Sequence, residues 1–299
     1  MSEMRAIRLH PDGLKVETIA VPEPGPGELL VRVHAAALTR DELDWPTDRL
    51  PAIPSYEVSG DVAGLGDGVE GFEEGEEVYA LTGFDRDGAA AEYTAVAAGL
   101  VARKPRSLSH IETAALPLAG LSAWQALFDH GKLESGERVL IHGASGGVGQ
   151  FATQLALWRG AHVIGTATGE GVAATRALGA DEVVDREAAN FEEIDPVDLV
   201  FDTVGGDALR RSPTVLRDGG RLVSVAEEPP PDPDRGIVTS YFVVEPNQGQ
   251  LEELARLADE GALKPAVDSV YPLENGVEAF ERLAGPGKRG KVVIAVLDM

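Results

Sequence analysis

Four glycines in one short turn carry the clearest chemical purpose in this chain. Arg138-Val-Leu-Ile-His-Gly-Ala-Ser-Gly-Gly-Val-Gly149 places glycine at 143, 146, 147 and 149, between an apolar run at Val139–Ile141 and a helical pattern over Gln150–Trp158. A second apolar run follows in Ala161-His-Val-Ile-Gly-Thr166. Strand, glycine turn, helix and strand form the setting in which a backbone can hold a dinucleotide. Residues without a Cβ let the main chain turn tightly and approach a diphosphate, and the last glycine lets the helix pack close to the sheet. The helix amino terminus then offers N–H donors and a partial positive charge to the anion. Gly143, Ala144, Ser145, Gly146, Gly147, Val148 and Gly149 are therefore the candidate phosphate cradle.

The end of the second strand bears on which nicotinamide cofactor is bound. An acidic side chain there would bond the adenosine ribose 2′-hydroxyl and repel a 2′-phosphate. The sequence instead reads Gly165-Thr-Ala-Thr168, and Thr166 and Thr168 can both donate to a phosphate, which favours NADPH. Glu170 lies two residues further on, and Arg176 and Arg186 are the nearby basic residues along the chain, so NADH stays open. Glu170 has a second reading as an exposed acid that complements a helix dipole.

Other chemistries are excluded or disfavoured. The chain has no cysteine, which removes disulfides, thiol nucleophiles and cysteine-ligated metals. No two of His10, His34, His110, His130, His142 and His162 stand at the spacing of a metal-ligand motif, so each reads as structural or solvated. With 50 acidic against 26 basic residues the net charge is −24, which makes nucleic acid and anionic membranes poor partners. Such self-repulsion suits a salt-rich cytosol, where the screening length falls to ~3 Å at 1 M; an ordinary acidic bacterial enzyme is the alternative. No apolar run approaches the ~20 residues needed to cross a bilayer. The opening MSEMRAIRLHPDG lacks an apolar signal core, so the expected location is cytoplasmic.

The elements that must position these residues fall into two textures, and 299 residues suffice for two domains. Up to about residue 110, short β-rich runs at Met4–Leu9, Leu29–Ala37, Val58–Val62, Glu77–Leu81 and Glu92–Val96 are punctuated by PEPGPGE, GLGDGVEG and GFDRDG. From Ile111, apolar runs at Val139–Ile141, Val163–Ile164, Val183–Val184, Leu199–Phe201 and Leu222–Val225 alternate with helical stretches, which argues for a doubly wound parallel sheet. Four prolines in EEPPPDPDRG mark a surface loop, followed by an expected strand at Ile237–Val244 and an amphipathic helix at Gln250–Glu260. Ala266–Val270 and Lys291–Val296 return to β texture. The expectation is an α/β protein in which a Rossmann domain, residues 118–261, is inserted in a β-rich domain built from 1–117 and 262–299.

Several ordered motifs then resemble a known family. HGASGGVGQFATQLA, preceded by ETAALPLAGLSAWQAL and followed by DLVFDTVGGDALRRSPTVLRDGGRLVSV, resembles the zinc-independent, quinone-oxidoreductase-like branch of the medium-chain dehydrogenase/reductases. VRVHAAALTRDELDWP and PAIPSYEVSGDVAGLGDGVEGFEEGEEVYAL resemble that family's GroES-like catalytic domain, and PLENGVEAFERLAGPGKRGKVVI its closing segment. The resemblance covers nearly the whole chain. It implies a cleft between the domains, a cofactor at the carboxyl ends of the parallel strands, and a homodimer. It adds Thr113, Asp202, Val204, Val225, Phe242, Val243 and Lys291 as cofactor contacts, with strand or dimer-edge packing as the second reading of Phe242 and Val243.

The same resemblance locates the chemistry. Where zinc-dependent relatives carry their first cysteine ligand this chain reads Leu38-Thr39-Arg40, and the metal-binding histidine corresponds to Tyr56. Without a Lewis acid, the accessible reaction is hydride transfer to an acceptor that is already activated, a quinone or an alkene conjugated to a carbonyl. Orientation and exclusion of water would be the protein's main contribution. Thr39 is expected to bond cofactor or substrate, Glu42 to orient a neighbour, and Tyr56 either to donate a proton or to pack. Trp45 is a lid or core packing. A carbonyl or alcohol oxidoreductase, and a non-catalytic NADPH-binding sensor or structural protein, are the rival functions.

Overall fold

The computed structural model describes residues 2–45 and 48–297. The chain divides into two compact units, Met1–Leu118 with Pro246–Met299, and Ala119–Glu245.

The first unit opens with a hairpin of β1 (Glu3–His10) and β2 (Gly13–Ala20), closed by a two-residue turn before Gly13. Then come β3 (Glu28–Leu38), β4 (Glu57–Leu65), β5 (Glu77–Leu81), β6 (Tyr93–Ala97) and β7 (Val101–Arg103), and the short helix α1 (His110–Ala114). Along β3, Leu29, Val31 and Val33 are buried and Arg32 points outward, the alternation of a half-buried strand. A register shift between Val33 and Ala35 interrupts it, and Ala35 to Leu38 are all buried beyond that point. Ser109 and Glu112 close a reciprocal capping box at the start of α1.

Helix α2 (Pro117–Trp124) carries the chain into the second unit. That unit alternates β8 (Arg138–His142), α3 (Gly149–Arg159), β9 (His162–Ala167), α4 (Glu170–Ala177), β10 (Glu182–Asp185), β11 (Val197–Asp202), α5 (Gly206–Arg211), β12 (Leu216–Ser224) and β13 (Val238–Tyr241). Its six strands are all parallel, in the spatial order β10-β9-β8-β11-β12-β13. Central strands of such a sheet are covered on both faces and read as continuous apolar runs, as in Val139–Ile141 and Leu199–Phe201. The winding direction reverses between β8 and β11, and ligands of doubly wound sheets bind beyond the carboxyl ends of the strands at such a reversal.

The return to the first unit corrects one expected boundary. The crossing falls at Pro246 rather than after Gly261, so α6 (Gln248–Asp259) belongs with the first unit. Its apolar stripe, Leu251, Leu254 and Leu257, is buried, Tyr79 donates its hydroxyl to the Leu251 carbonyl, and Gln248 donates to Val101 O at 2.7 Å. Amphipathicity shows that a helix has a partner without showing which one. Then β14 (Val267–Pro272), α7 (Gly276–Ala284) and β15 (Lys291–Ala295) complete a seven-stranded sheet in which β15 pairs with β3. The eight-residue β2 and the three-residue β7 lie outside the segments read from sequence, and β13 ends at Tyr241 rather than Val244. Among the described residues no helix is long and apolar enough to cross a membrane.

Candidate active site

The glycine turn lies at the carboxyl end of β8, beside the reversal of strand order. Gly143 has φ +73°, a left-handed conformation that side-chain-bearing residues rarely take, and a Cβ there would stand 2.7 Å from Thr203 Oγ1 and 2.9 Å from Val204 Cγ2. A Cβ at Gly149 would lie 2.1 Å from the Gly143 carbonyl oxygen, so the first residue of α3 sits directly on the turn. The N–H groups of Ser145, Gly147 and Val148 donate to no described residue. Three free donors at the start of an eleven-residue helix fit a diphosphate.

The surrounding side chains hold this turn in shape. Thr166 is fully buried; its hydroxyl meets His142 Nδ1 at 3.2 Å and accepts the Gly143 N–H at 3.3 Å, so it braces the loop and is not free to bond a phosphate. His142 completes its pair of contacts with Ser212 Oγ at 3.0 Å, and burial lowers its pKa to about 3, which keeps the ring neutral. Asp202, at the end of β11, accepts from the N–H groups of Val204 and Gly205 and from Ser224 Oγ at 2.8 Å, shaping the second loop at the reversal. Thr168 is exposed, and Arg186 follows β10 with its N–H bonded to Ala167 O at 3.0 Å, which puts a basic residue beside the end of β9. Val204 and Val243 are exposed, Val225 and Phe242 are partly buried, and Phe242 stacks on His130 with ring centres 4.3 Å apart.

In the first unit, the ends of three strands bring Thr39, Glu57 and Lys291 together. Pairing of Leu38 with Val292 and of Ala37 with Glu57 sets Lys291 and Glu57 beside Thr39. Lys291 donates to Glu57 Oε2 and, at 2.8 Å, to Thr39 Oγ1; Thr39 donates to Glu57 Oε2 at 3.1 Å; the Leu118 N–H binds Glu57 Oε1 at 2.9 Å. Lys291, expected to contact the cofactor, is held in this buried pair. Burial raises the Glu57 pKa and Lys291 opposes that rise. Removing one partner of such a pair leaves an uncompensated charge, a loss of about 3–5 kcal/mol.

Glu42 and Tyr56 lie in the same unit. Glu42 is 1% exposed on the short 3-10 turn Glu42–Asp44, and neither carboxylate oxygen has a hydrogen-bond partner. Burial pushes its pKa well above the usual range, and the Lys291 ammonium opposes that rise. Tyr56 is buried against the exposed Trp45 and the partly buried Phe84, at ring-centre distances of 5.5 and 5.3 Å, and its hydroxyl oxygen accepts from Arg49 Nη2 at 2.9 Å. Thr113 is buried with its hydroxyl unpaired. Sequence reasoning missed the Glu57 partnership with Thr39 and Lys291, because residues 39, 57 and 291 meet only through strand pairing.

Residues 25–106 match the alcohol dehydrogenase GroES-like domain and residues 178–294 match a zinc-binding dehydrogenase family. A 2-methylene-furan-3-one reductase of Solanum lycopersicum is 36% identical over 95% of this chain and 76% of its own length. An NADPH-dependent alkenal/one oxidoreductase of Arabidopsis thaliana is 34% identical over 95% of this chain and 76% of its own. The structure of a quinone oxidoreductase from Coxiella burnetii superposes with a TM-score of 0.91 at 31% identity, covering 99% of this chain and all of that one. The chain belongs to the medium-chain dehydrogenase/reductase superfamily, among its quinone-oxidoreductase-like members, and is an oxidoreductase that uses a nicotinamide cofactor.

A zinc-binding family raises the question of a catalytic metal. Where the family resemblance puts zinc ligands stand Leu38-Thr39-Arg40 and Tyr56, with Thr39 bonded to the Lys291 ammonium and Tyr56 to the Arg49 guanidinium. Two cations among hydroxyl oxygens do not fit a zinc site, which needs nitrogen, thiolate or carboxylate donors.

Proposed function

We propose that this protein is an NADPH-dependent reductase of quinones or α,β-unsaturated carbonyl compounds that works without zinc. The observation that carries the reading is the glycine turn at the strand-order reversal, with its three free N–H groups and its close seating of α3. Bound NADPH supplies a hydride. The donors of Ser145, Gly147 and Val148 hold the diphosphate, and Thr168 with Arg186 favours the 2′-phosphate over a free ribose. The relatives named for NADPH, an alkenal/one and a methylene-furanone support both the cofactor and the substrate class.

Proton delivery follows from the phenol. Tyr56 Oη receives Arg49, so its own hydrogen is free for another acceptor, and the guanidinium would stabilise the phenolate left behind. The Thr39–Glu57–Lys291 cluster fixes the end of β3, from which the segment carrying Glu42 and Trp45 departs. We assign residues 119–245 to cofactor binding and the rest to substrate. We also place the protein in the cytoplasm as a homodimer, paired through β13 and its sequel, where Val238, Tyr241 and Val243 are exposed on the edge of the parallel sheet.

The test is oxidation of NADPH with a quinone, an enone and a simple ketone as acceptors, with alcohol oxidation in reverse as the control. Turnover confined to the quinone or enone supports the proposal, and a Tyr56→Phe variant then shows reduced enone turnover. Alcohol oxidation without quinone or enone reduction overturns it, as does tight NADPH binding with no turnover. An unchanged Tyr56→Phe rate across pH returns Tyr56 to packing.

A further inference from the structure

We propose that His34, Asp61 and His110 form a binding site for one divalent transition-metal ion of the zinc type. The three residues are far apart in sequence, and one ligand atom from each lies within 4.8 Å of the others. The backbone explains why they meet. The register shift between Val33 and Ala35 makes His34 the extra residue of a bulge, and bulges re-aim side chains. Asp61 and Ser59 are two residues apart on β4 and so share a face, and Asp61 pairs with Glu77 on β5. His110, the first residue of α1, reaches this face and stacks on His34 with ring centres 4.1 Å apart.

An ion would replace two existing hydrogen bonds, that of His34 with Asp61 and that of Ser59 with His110. His34 Nε2 donates to Asp61 Oδ2 at 2.7 Å, and ligation would move that proton to Nδ1 and give the Nε2 lone pair to the ion. His110 Nε2 lies 3.1 Å from Glu77 Oε1 and its Nδ1 lies 2.8 Å from Ser59 Oγ. With Nε2–H donated to Glu77, the lone pair sits on Nδ1, the arrangement by which a carboxylate orients a metal-binding imidazole. The charged groups around the cluster are balanced: Arg32 binds Asp61 Oδ2 at 2.6 Å, and Lys104 lies 3.6 Å from Glu77. Both contacts to Asp61 fall on Oδ2, so Oδ1 remains free to ligate. Two imidazoles and one carboxylate suit Zn²⁺, Co²⁺, Ni²⁺ or Cu²⁺ and not Mg²⁺ or Ca²⁺. An ion here would tie β3, β4 and α1 together and leave a position for water. The site uses none of the residues assigned to hydride transfer.

The test is equilibrium dialysis of the chelator-treated full-length protein against Zn²⁺ and Co²⁺ in 1 M KCl, which suppresses diffuse binding to the acidic surface. The wild type is expected to hold one equivalent, and His34→Gln, Asp61→Asn and His110→Gln each to weaken binding by about tenfold or more while binding NADPH as the wild type does. A Zn²⁺-induced rise in the unfolding midpoint, absent in His110→Gln, is the second readout and does not depend on the other variants folding. Wild-type binding no tighter than that of the three variants, or no binding at all, overturns the proposal.

Discussion

At the scale of single residues, the interior polar groups of both units are set by burial. His142 supports the glycine turn only as a neutral ring, shared between Thr166 and Ser212. Its folded pKa of about 3 lies below the ordinary 6.5, so the unfolded chain takes up a proton that the folded one refuses. The associated stability is present above pH 6.5 and is lost as pH falls from there towards 3, and amounts to roughly 5 kcal/mol at most. Denaturant midpoints at pH 7 and pH 4 should therefore fall less in His142→Asn than in the wild type; equal falls would mean that His142 is protonated in the folded protein. Glu42 works in the opposite sense. As an acid with a raised pKa it favours the folded state below the ordinary carboxyl pKa and loses that advantage as pH rises through its folded value.

At the scale of elements, the turn and the helix that follows it form one object. A Cβ at Gly149 would overlap backbone atoms of Gly143 and Ala144, neither of which can move without opening the turn. Gly149→Ala is expected to destabilise the second unit by about 1–3 kcal/mol or more, read as a lower thermal midpoint, whereas Gly146→Ala, with its nearest atom at 3.2 Å, should cost less. Equal midpoints for the two variants would show that α3 is seated elsewhere.

The elements also show what could be read from the sequence. Continuous apolar runs and glycine punctuation located the parallel strands and the turn, because those signals are local. The Thr39–Glu57–Lys291 cluster and the His34–Asp61–His110 group were not legible, since each depends on strand register and, for His34, on a bulge that leaves no mark in the sequence. The same holds for Thr166: whether its hydroxyl faces a ligand or the loop depends on His142 across the neighbouring strand.

At the scale of the whole molecule, a net charge of −24 is the dominant physical fact. Many basic residues are already paired, as in Arg221 with Glu137 at 2.6 Å and Arg282 with Asp268 at 2.7 Å, so the surplus acids have only counterions to offset them. Raising KCl from millimolar to multimolar should raise the thermal midpoint, by about 2–4 °C for each kcal/mol of repulsion removed. A midpoint that is flat across that range would mean that the acidity is no adaptation to salt.

The central claim is that one main-chain turn holds a dinucleotide by its diphosphate. Its most direct test is NADPH titration, followed by nucleotide fluorescence, of the wild type and of Gly147→Asp, which sets a carboxylate among the donors of Ser145, Gly147 and Val148. Saturable binding that the substitution abolishes, with the unfolding midpoint retained, is the predicted result. Equal affinity in the two proteins would place the cofactor elsewhere and contradict the account.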